Sequence, residues 1–503
     1  MSRTSGRTMD RDVTLDCDVV VVGSGAGGAV IAATLAEAGQ RVILLEEGPV
    51  LDAMAHGRMR PSESLRSIWR DAGMTLAVGI GDSPSINVTS ARVLGGSSMV
   101  TGGVCFRADA EVLDGWSREL TIDDLDANAM DRWYSEVERD VHVEPVPVSL
   151  RSRSTNLFIE GGEKIGIPFH SMNRNTNGCT GNGRCNFGCP NGAKMSVDLN
   201  YLPRAERAGA ELWTDCLVER VITEGTRATG VRGRFVDEKK ERTQFHFSVF
   251  AKRVVLAGGA AYTPLILRAS GLAKRSGALG RNLSLHPSFR VMAEFDEPVR
   301  GWHGALQSAY SDHFHADGMV FNSVFTPHGV VAAAMPGFGK HHARFRERIA
   351  NIAMFGGMLH DDGGGRLWRF FGREPLMTYR MSKRDRARVP LLLRRMAEIF
   401  FSAGARRVFL PVFGSEPIEP DDLAGAPLES THGRLFECSS QHPLGTCRMG
   451  SDPRASVVRP TGELWDVKNV YVADGSILPT SLGKNPQLTI MAMAKRVANR
   501  LVN

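Results

Sequence analysis

The sequence has few cysteines, no long run of one charge and no apolar stretch long enough to cross a membrane. Its 503 residues include only 8 cysteines, too few for a disulfide-dense secreted protein, and this favours a reducing compartment. The net charge is +6, but no run of five or more like charges occurs. Nucleic-acid binding is therefore not indicated, and a solvated surface together with an anionic ligand explains the basic excess.

Signals for export or membrane insertion are also missing. The first residues, up to Asp18, are polar or charged without an apolar core, so the sequence predicts no signal peptide and a cytoplasmic location. Residues 19–36 carry no charge, but four glycines and a change from strand to helix pattern argue against a transmembrane segment. A peripheral membrane contact stays open. The sequence contains no internal repeat or low-complexity tract.

A glycine-rich turn lies between two short apolar runs near the N-terminus. Residues 19–22 and 42–45 are apolar runs of the kind that form buried parallel strands. The turn after the first run has the spacing G-x-G-x-x-G, and the alanine-rich residues 29–38 predict a helix. Strand, glycine turn, helix and strand in this order predict the βαβ unit of a nucleotide-binding domain.

Each glycine of this turn has a physical role. Gly23 permits the tight turn, Gly25 lets the backbone approach a pyrophosphate, and Gly28 lets the helix pack closely on the strand. The helix N-terminus adds free N–H groups and a positive dipole, and Glu46 is placed to accept ribose hydroxyls. We therefore expect a bound dinucleotide, FAD or NAD. The alternative is a glycine-rich βαβ unit with nothing bound.

Two further loops are rich in glycine. In residues 91–103, Gly95 and Gly96 are followed by Ser97 and Ser98, which predicts either a ligand-binding segment or a flexible surface loop. In residues 178–194, three cysteines are spaced C-x5-C-x3-C; they are Cys179, Cys185 and Cys189. Zinc or an iron–sulfur cluster would need a fourth ligand that is missing locally. We expect a structural loop without metal, in which a disulfide between two of the three stays open.

The middle of the chain predicts a β-meander and a less ordered region. Residues 211–250 alternate as short strands, and residues 253–257 read as a buried strand that leads into a helix. Residues 390–403 predict an amphipathic helix that opens on Pro390. His286 is expected to be structural, and Asp361 with Asp362 is expected to form a solvated turn.

The C-terminal part carries the candidate catalytic groups. His442 precedes Pro, Gly and Thr, and a buried strand further on ends in Asp474 and Gly475. Asn485 and Pro486 open the last helix, so Asn485 is either a helix cap or a functional amide. A neutral imidazole with a pKa near the working pH suits His442 as a general base. The Asn485 amide cannot titrate near neutrality but can hold a substrate oxygen.

These blocks together resemble the glucose–methanol–choline (GMC) family of FAD-dependent oxidoreductases. The matching segments are residues 23–46, 91–98, 253–283 and 442–490, in the order of the family. The resemblance implies an α/β fold with a Rossmann-type FAD-binding domain and a discontinuous antiparallel-sheet substrate domain. It also implies FAD as the cofactor. The cofactor-binding residues are expected to be Gly23, Gly25, Gly28, Glu46, Arg92, Gly95, Gly96, Ser97, Ser98, Asp474, Gly475 and Pro486. Thr101 departs from the asparagine common in the family.

The resemblance also implies a domain division and a reaction. Residues 1–120, 201–290 and 431–503 are expected to form the FAD-binding domain, and residues 121–200 and 291–430 the substrate-binding domain. The reaction is the oxidation of an alcohol by hydride transfer to FAD, with His442 and Asn485 as the catalytic pair and with oxygen or another electron acceptor. No metal is expected in the site.

The substrate class is less sharply indicated. Val-Cys-Phe-Arg at residues 104–107 and the Gly-Cys-Pro loop resemble the long-chain and sterol alcohol oxidases, which implies a bulky apolar alcohol. A polyol, sugar or aminoglycoside is the alternative substrate. Two further alternatives stay open. One is a non-redox lyase or decarboxylase on the same fold, and the other is a metal-based electron-transfer role for the cysteine loop.

Overall fold

The computed structural model describes residues 3–335, 339–369 and 374–502. Its strands, numbered in chain order, are β1 (Arg3–Ser5), β2 (Val13–Val22), β3 (Val42–Leu45), β4 (Leu76–Gly79), β5 (Ile86–Val88), β6 (Val143–Pro145), β7 (His170–Ser171), β8 (Asn173–Asn175), β9 (Glu211–Thr214), β10 (Cys216–Glu224), β11 (Arg227–Val236), β12 (Arg242–Leu256), β13 (Ser288–Glu294), β14 (Ala309–Ser311), β15 (Met319–Ser323), β16 (Ile352–Leu359), β17 (Gly365–Arg369), β18 (Pro375–Tyr379), β19 (Arg407–Phe409), β20 (Cys438–Ser440) and β21 (Val470–Val472).

The helices connect and cover these strands. They are α1 (Ala26–Glu37), α2 (Ala53–Arg58), α3 (Pro61–Ser67), α4 (Ala110–Leu120), α5 (Ala127–Asp140), α6 (Arg153–Lys164), α7 (Tyr201–Arg207), α8 (Gly259–Ala269), α9 (His328–Ala334), α10 (Gly339–Glu347), α11 (Lys383–Ser402) and α12 (Gln487–Val502). Within the described residues, no helix combines the length and the apolar character needed to cross a bilayer.

The first sheet has eight strands in the order β1-β9-β3-β2-β12-β11-β10, with β21 beside β12. Strands β2, β3, β9, β12 and β21 pair in parallel, whereas β10, β11 and β12 form an antiparallel meander. Helix α1 packs against β2, β3, α7 and α12. The predicted βαβ unit and the predicted meander are both confirmed.

Helix α1 begins at Ala26, earlier than predicted, because two glycines let its first turn lie directly on the sheet. A Cβ atom on Gly27 would lie 1.8 Å from the carbonyl oxygen of Ala473, which follows β21. A Cβ atom on Gly28 would lie 1.9 Å from the carbonyl oxygen of Gly23. Side chains are excluded at both positions, so the N-terminus of α1 is fixed at the carboxyl ends of β2 and β21.

The second sheet has eleven strands in the order β17-β18-β4-β5-β20-β13-β16-β15-β14-β7, with β19 beside β13. Most pairs are antiparallel, as predicted, but β18–β4 and β20–β5 are parallel. Helices α6 and α11 cover this sheet at β16. Phe158 of α6 stacks on Phe355 of β16 with ring centroids 3.7 Å apart, and the two rings belong to a second hydrophobic core. The α/β class with a second, largely antiparallel sheet is confirmed.

Two details differ from the sequence-based expectations. Helix α11 begins at Lys383, not at Pro390, because the Ser382 hydroxyl accepts a hydrogen bond of 3.0 Å from the Asp385 N–H and caps the helix there. Strands β4, β5 and β20 lie in the second sheet, although their residues fall in the predicted FAD-binding segments, because their backbones pair with β18 and with one another. The boundaries between the two domains stay a prediction.

Candidate active site

A cavity of about 470 Å³ lies where the carboxyl ends of β2, β3 and β12 meet β5 and β18. It brings together predicted residues that are far apart in the sequence. Those that line it are Gly23, Gly25, Glu46, Gly96, Ser97, Ser98, His442, Asp474, Gly475, Asn485 and Pro486. Three predicted residues do not line it; they are Gly28, Arg92 and Gly95. The cofactor-binding and catalytic candidates thus share one cavity.

The first glycine turn forms an open cradle at the N-terminus of α1. Gly23 has a φ of +98°, and a Cβ atom there would lie 2.4 Å from the carbonyl oxygen of Ala257. Gly25 is the N-cap of α1, and no protein atom lies within 4 Å of the position of its missing Cβ. This empty space at a helix N-terminus in the cavity fits the pyrophosphate of a dinucleotide.

Glu46 lies beside this cradle and is buried. Its carboxylate accepts hydrogen bonds from the Ser24 N–H (3.1 Å), the Ser24 hydroxyl (2.6 Å) and the Gly48 N–H (2.8 Å). Burial raises the pKa of Glu46 above its ordinary value, against the effect of these hydrogen bonds. Ser24 was not among the residues singled out from the sequence, although it occupies a variable position inside the glycine motif.

Arg92 contacts Glu47 and not the cavity. Its guanidinium lies 3.0 Å from the Glu47 carboxylate, which also pairs with Arg70 at 2.9 Å. The Arg70 guanidinium in turn lies over the ring of Tyr262, 4.0 Å from the centroid. Glu47, Arg70 and Tyr262 all line the cavity, so Arg92 belongs to its supporting layer.

The second glycine block folds against the first. The Gly95 N–H donates a hydrogen bond of 2.9 Å to the Ser24 hydroxyl, and Gly95 has a φ of +100°. A Cβ atom on Gly96 would lie 2.7 Å from the Cα of Gly25. The Ser98 hydroxyl donates a hydrogen bond of 2.7 Å to the Gly95 carbonyl and closes the turn. This block is therefore an ordered wall of the cavity rather than a flexible surface loop.

Lys194 is a structural determinant that was not identified from the sequence. Its buried ammonium lies within hydrogen-bond distance of four backbone carbonyls: those of Ser98 (3.0 Å), Met99 (2.8 Å), Thr101 (3.0 Å) and Cys185 (3.0 Å). Burial lowers the pKa of Lys194 to about 8. The lysine joins the cysteine loop to the second glycine block. The sequence signal that could have indicated this role is a lysine within a loop rich in Gly and Asn residues.

The cysteine loop packs behind this wall. All eight cysteines are free thiols, so no disulfide joins Cys179, Cys185 or Cys189. Over residues 3–335, 339–369 and 374–502, no group of three or more His, Cys, Asp or Glu side chains is arranged to hold a metal ion. The buried Arg174 guanidinium contacts the Cys185 sulfur at 2.9 Å. The contact of Arg174 with Cys185 favours the structural interpretation of this loop.

His442 and Asn485 meet in the cavity. The Asn485 amide nitrogen lies 3.2 Å from Nε2 of His442, and because an amide nitrogen only donates, Nε2 carries the lone pair. Burial lowers the pKa of His442 well below its ordinary value, and neighbouring His286 adds to this effect. Oδ1 of Asn485 and Nε2 of Gln487 are buried without a protein partner. These unpaired groups lie in a cavity with a phosphate cradle, and the set of residues fits FAD.

Asp474 has a largely structural carboxylate. It accepts hydrogen bonds from the Gly259 N–H (2.9 Å), the Thr263 hydroxyl (2.5 Å) and the Ser476 N–H (2.8 Å). Because these three donors occupy the carboxylate, a cofactor contact at Asp474 and Gly475 would use the backbone. The carboxylate itself connects β21 to the N-terminal turn of α8.

His286 supports His442 and Asn485 from behind. Its Nε2 accepts hydrogen bonds from the N–H groups of Leu482 (3.0 Å) and Gly483 (3.3 Å), just before Asn485. Its ring packs edge-on against the ring of His442 with centroids 5.3 Å apart. Burial, with a smaller contribution from His360, lowers the pKa of His286 to about 3, so the ring stays neutral and accepting.

Asp361 contradicts the expectation of a solvated turn. The residue is buried, and its carboxylate accepts five hydrogen bonds from three chain segments. The donors are the hydroxyls of Ser284 (2.8 Å), Tyr379 (2.7 Å) and Ser481 (2.8 Å) and the N–H groups of Leu285 (3.2 Å) and His286 (3.2 Å). These five donors replace the water that would otherwise solvate the carboxylate, and for this reason the carboxylate tolerates burial. No local pattern in the sequence indicates it.

Comparison with known proteins adds independent findings. Residues 17–288 and 373–494 match the two family models described as GMC oxidoreductase. An uncharacterized GMC-type oxidoreductase of Mycobacterium tuberculosis (strain H37Rv) is 36% identical over 486 residues, which are 96% of this chain and 76% of that protein. The long-chain-alcohol oxidase FAO3 of Arabidopsis thaliana is 26% identical over 526 residues, which cover 97% and 68% of the two chains.

A diol dehydrogenase and a solved oxidase extend this comparison. The 2-methyl-1,2-propanediol dehydrogenase of Mycolicibacterium austroafricanum is 27% identical over 549 residues, with coverage of 96% of this chain and 94% of that protein. The crystal structure of pyridoxine 4-oxidase from Mesorbium loti has a TM-score of 0.74 at 19% identity and covers 96% and 99% of the two chains. That structural likeness supports the fold.

The two glycines Gly25 and Gly27 provide a matched pair for testing the cradle. Gly27→Ala should lower the free energy of unfolding by about 1–3 kcal/mol, because its methyl group overlaps the Ala473 carbonyl. Gly25→Ala should leave the stability of the FAD-free protein unchanged and weaken FAD binding roughly tenfold or more, because its methyl group fills only the cradle. Urea unfolding and a flavin-fluorescence titration measure the two effects. Normal FAD affinity in Gly25→Ala would contradict the assignment.

Proposed function

The chain belongs to the GMC oxidoreductase family and is an FAD-dependent enzyme, and on that premise we propose that it oxidises an alcohol to a carbonyl with His442 as the general base. The observation that carries the proposal is the contact of His442 with Asn485 inside the cavity that also contains the phosphate cradle. Bound FAD supplies the acceptor for the hydride that leaves the substrate carbon.

The residues that would hold FAD follow from the lining. The pyrophosphate would be bound by Gly23, Gly25 and the N-terminus of α1. The Glu46 carboxylate would accept from the ribose hydroxyls in addition to the Ser24 hydroxyl that it binds now. The wall formed by Gly96, Ser97 and Ser98 would contact the flavin side of the cofactor, as would Asp474, Gly475 and Pro486. Helix α12 begins at Gln487, and its N-terminal dipole favours negative charge at this end of the cavity.

His442 is suited to remove the hydroxyl proton. Its Nε2 faces the Asn485 amide and carries a lone pair, which is the acceptor that a general base needs. Burial keeps the imidazole neutral before the proton arrives. The buried Asp361 carboxylate counteracts this shift and would stabilise the imidazolium that forms after proton transfer.

Asn485 would hold the substrate oxygen beside that base. Its amide nitrogen lies 3.2 Å from Nε2, so a substrate hydroxyl bound against both groups would replace this hydrogen bond: its O–H would donate to Nε2 and its oxygen would accept from the amide. The backbone before it is fixed by Nε2 of His286. A fixed oxygen and a fixed base reduce the entropic cost of the proton transfer.

We propose a bulky, largely apolar alcohol as the substrate. Val104 lines the cavity, and behind it Phe106 packs edge-on against Tyr310 with ring centroids 4.8 Å apart. Val104 and Phe106 belong to the segment that resembles the long-chain alcohol oxidases, and the similarity to the Arabidopsis enzyme supports the same class. Oxygen or another acceptor would then take the electrons from the reduced enzyme.

A polyol is the second candidate, and two side chains favour it. Gln307 and Gln441 both line the cavity, and Gln441 is next to His442 in the chain. A Cβ atom on Gly102 would lie 1.6 Å from Oε1 of Gln307, so this amide lies directly on the wall that precedes Val104. Amides of this kind would bind a second hydroxyl, as a diol carries.

Anaerobic bleaching of the bound flavin separates these candidates. We expect bleaching by long-chain primary alcohols or sterols, and little by short diols or sugars, because apolar contacts supply the binding energy. Stronger bleaching by polyols would support the second candidate. The absence of bleaching by every alcohol class would contradict an oxidoreductase acting on alcohols and favour a lyase or decarboxylase.

Variants of the catalytic pair test the roles. His442→Ala should slow flavin reduction roughly 10²–10⁴-fold, as expected for loss of a general base, without loss of FAD. Asn485→Asp keeps the size of the side chain but removes the donor to Nε2, so flavin reduction should also slow. Stopped-flow absorbance under anaerobic conditions measures both rates. An unchanged rate in His442→Ala would exclude the base role, and an unchanged rate in Asn485→Asp would reduce Asn485 to a helix cap.

The pH profile provides a further test. The base is active when neutral, so activity is lost as the pH falls through the pKa of His442. Because burial lowers that pKa, kcat/KM should stay level across the ordinary histidine range and decline only at more acidic pH. Initial rates measured from about pH 4.5 to 8.5, two units on either side of the ordinary histidine pKa of about 6.5, report this. An inflection at the ordinary histidine pKa would contradict the burial argument.

A further inference from the structure

A second, smaller cleft lies on the surface beside β17, apart from the catalytic cavity. Its volume is about 300 Å³, and four basic side chains line it together with Trp368. The basic residues are Arg268, Lys274, Arg281 and Arg366. No acidic side chain from the described part of the chain lines this cleft. We call these four residues and Trp368 the basic cleft.

The charges of the basic cleft are not neutralised within the protein. Lys274, Arg281 and Arg366 are exposed and form no ion pair with any acid in the described ranges. Arg268 donates to two backbone carbonyls, at 2.9 and 2.8 Å, which carry no net charge. The Asp466 carboxylate accepts a hydrogen bond of 3.3 Å from the Lys274 main-chain N–H and not from its ammonium. The cleft therefore attracts anions.

An apolar row continues from the cleft across the outer face of the second sheet. Trp368 of β17 pairs in register with Leu376 of β18, and β18 pairs in parallel with β4, which contributes Leu76 and Val78. Trp368, Leu76 and Val78 are 44%, 47% and 43% exposed. The opposite face of these strands is buried. Apolar side chains that stay exposed on adjacent strands beside a basic cleft need an explanation beyond folding.

We propose that the basic cleft and this apolar row form one docking surface for an anionic phospholipid membrane. The cations would bind lipid phosphates, while Trp368 and the aliphatic side chains would enter the interfacial layer, where tryptophan is favoured. Each basic residue near an anionic bilayer adds to the attraction. Charge complementarity selects this occupant: a second copy of the chain would bring the same cations against each other, and a free anion would leave the apolar row in water.

Vesicle co-sedimentation of the FAD-loaded protein tests the proposal. The probes are vesicles of phosphatidylcholine alone and vesicles that contain about one-third phosphatidylglycerol, at low and high salt. The wild-type protein should bind the anionic vesicles at low salt and not the neutral ones. Arg281→Glu combined with Arg366→Glu should weaken this binding roughly tenfold or more. Trp368→Ser should weaken it at both salt concentrations, because apolar contacts are not screened.

A matched variant controls for net charge. Arg118→Glu with Arg139→Glu reverses two exposed cations on α4 and α5 that also lack an ion pair within the described structure, and it should bind vesicles as the wild type does. Thermal unfolding and FAD content verify that each variant is folded. Three results would overturn the proposal. They are the absence of binding to anionic vesicles, an equal loss of vesicle binding in the control variant, and stabilisation by inorganic phosphate against thermal unfolding without vesicle binding. A change in oligomeric state without vesicle binding would overturn it in favour of self-association.

Discussion

The cofactor site depends on the close approach of glycine-rich turns that come from different parts of the chain. Gly96 and Gly25 approach so closely that a Cβ atom on Gly96 would lie 2.7 Å from the Cα of Gly25. The Ser24 hydroxyl joins the turns, because it donates to Glu46 at 2.6 Å and accepts from the Gly95 N–H at 2.9 Å. Backbone N–H groups can surround a phosphate only where side chains are absent, so this contact determines the shape of the cradle.

The end of the cavity that contains His442 and Asn485 depends on burial balanced by hydrogen bonds. Asp361 is a buried carboxylate whose five donors bind three chain segments together, and one of them, Ser481, lies shortly before Asn485. His286 fixes the same segment through its acceptor nitrogen and packs against His442. Burial and the neighbouring His286 keep the imidazole of His442 neutral, whereas Asp361 and His286 fix the segment that precedes Asn485. Such preorganisation is what general-base catalysis requires of a protein.

The sequence predicted the parts of the site whose chemistry depends on local spacing. The glycine fingerprint, His442 and Asn485 could be singled out because each lies in a short pattern with a physical meaning; they line one cavity, and their roles stay predictions. Lys194 and Asp361 were not found, since their roles arise from contacts with segments distant in the sequence. The fold shows the same contrast between local and long-range information. The βαβ unit and the meander were predicted from local patterns, whereas the placement of β4 and β5 in the second sheet depends on long-range pairing.

The crystal structure of the FAD-loaded protein tests the central claim most directly, because it measures where the isoalloxazine ring lies relative to His442. The account predicts the pyrophosphate at the N-terminus of α1 and the reactive edge of the ring beside Nε2 of His442 and the Asn485 amide. Electron density that placed the ring elsewhere in the cavity, or showed His442 turned away from it, would contradict the account.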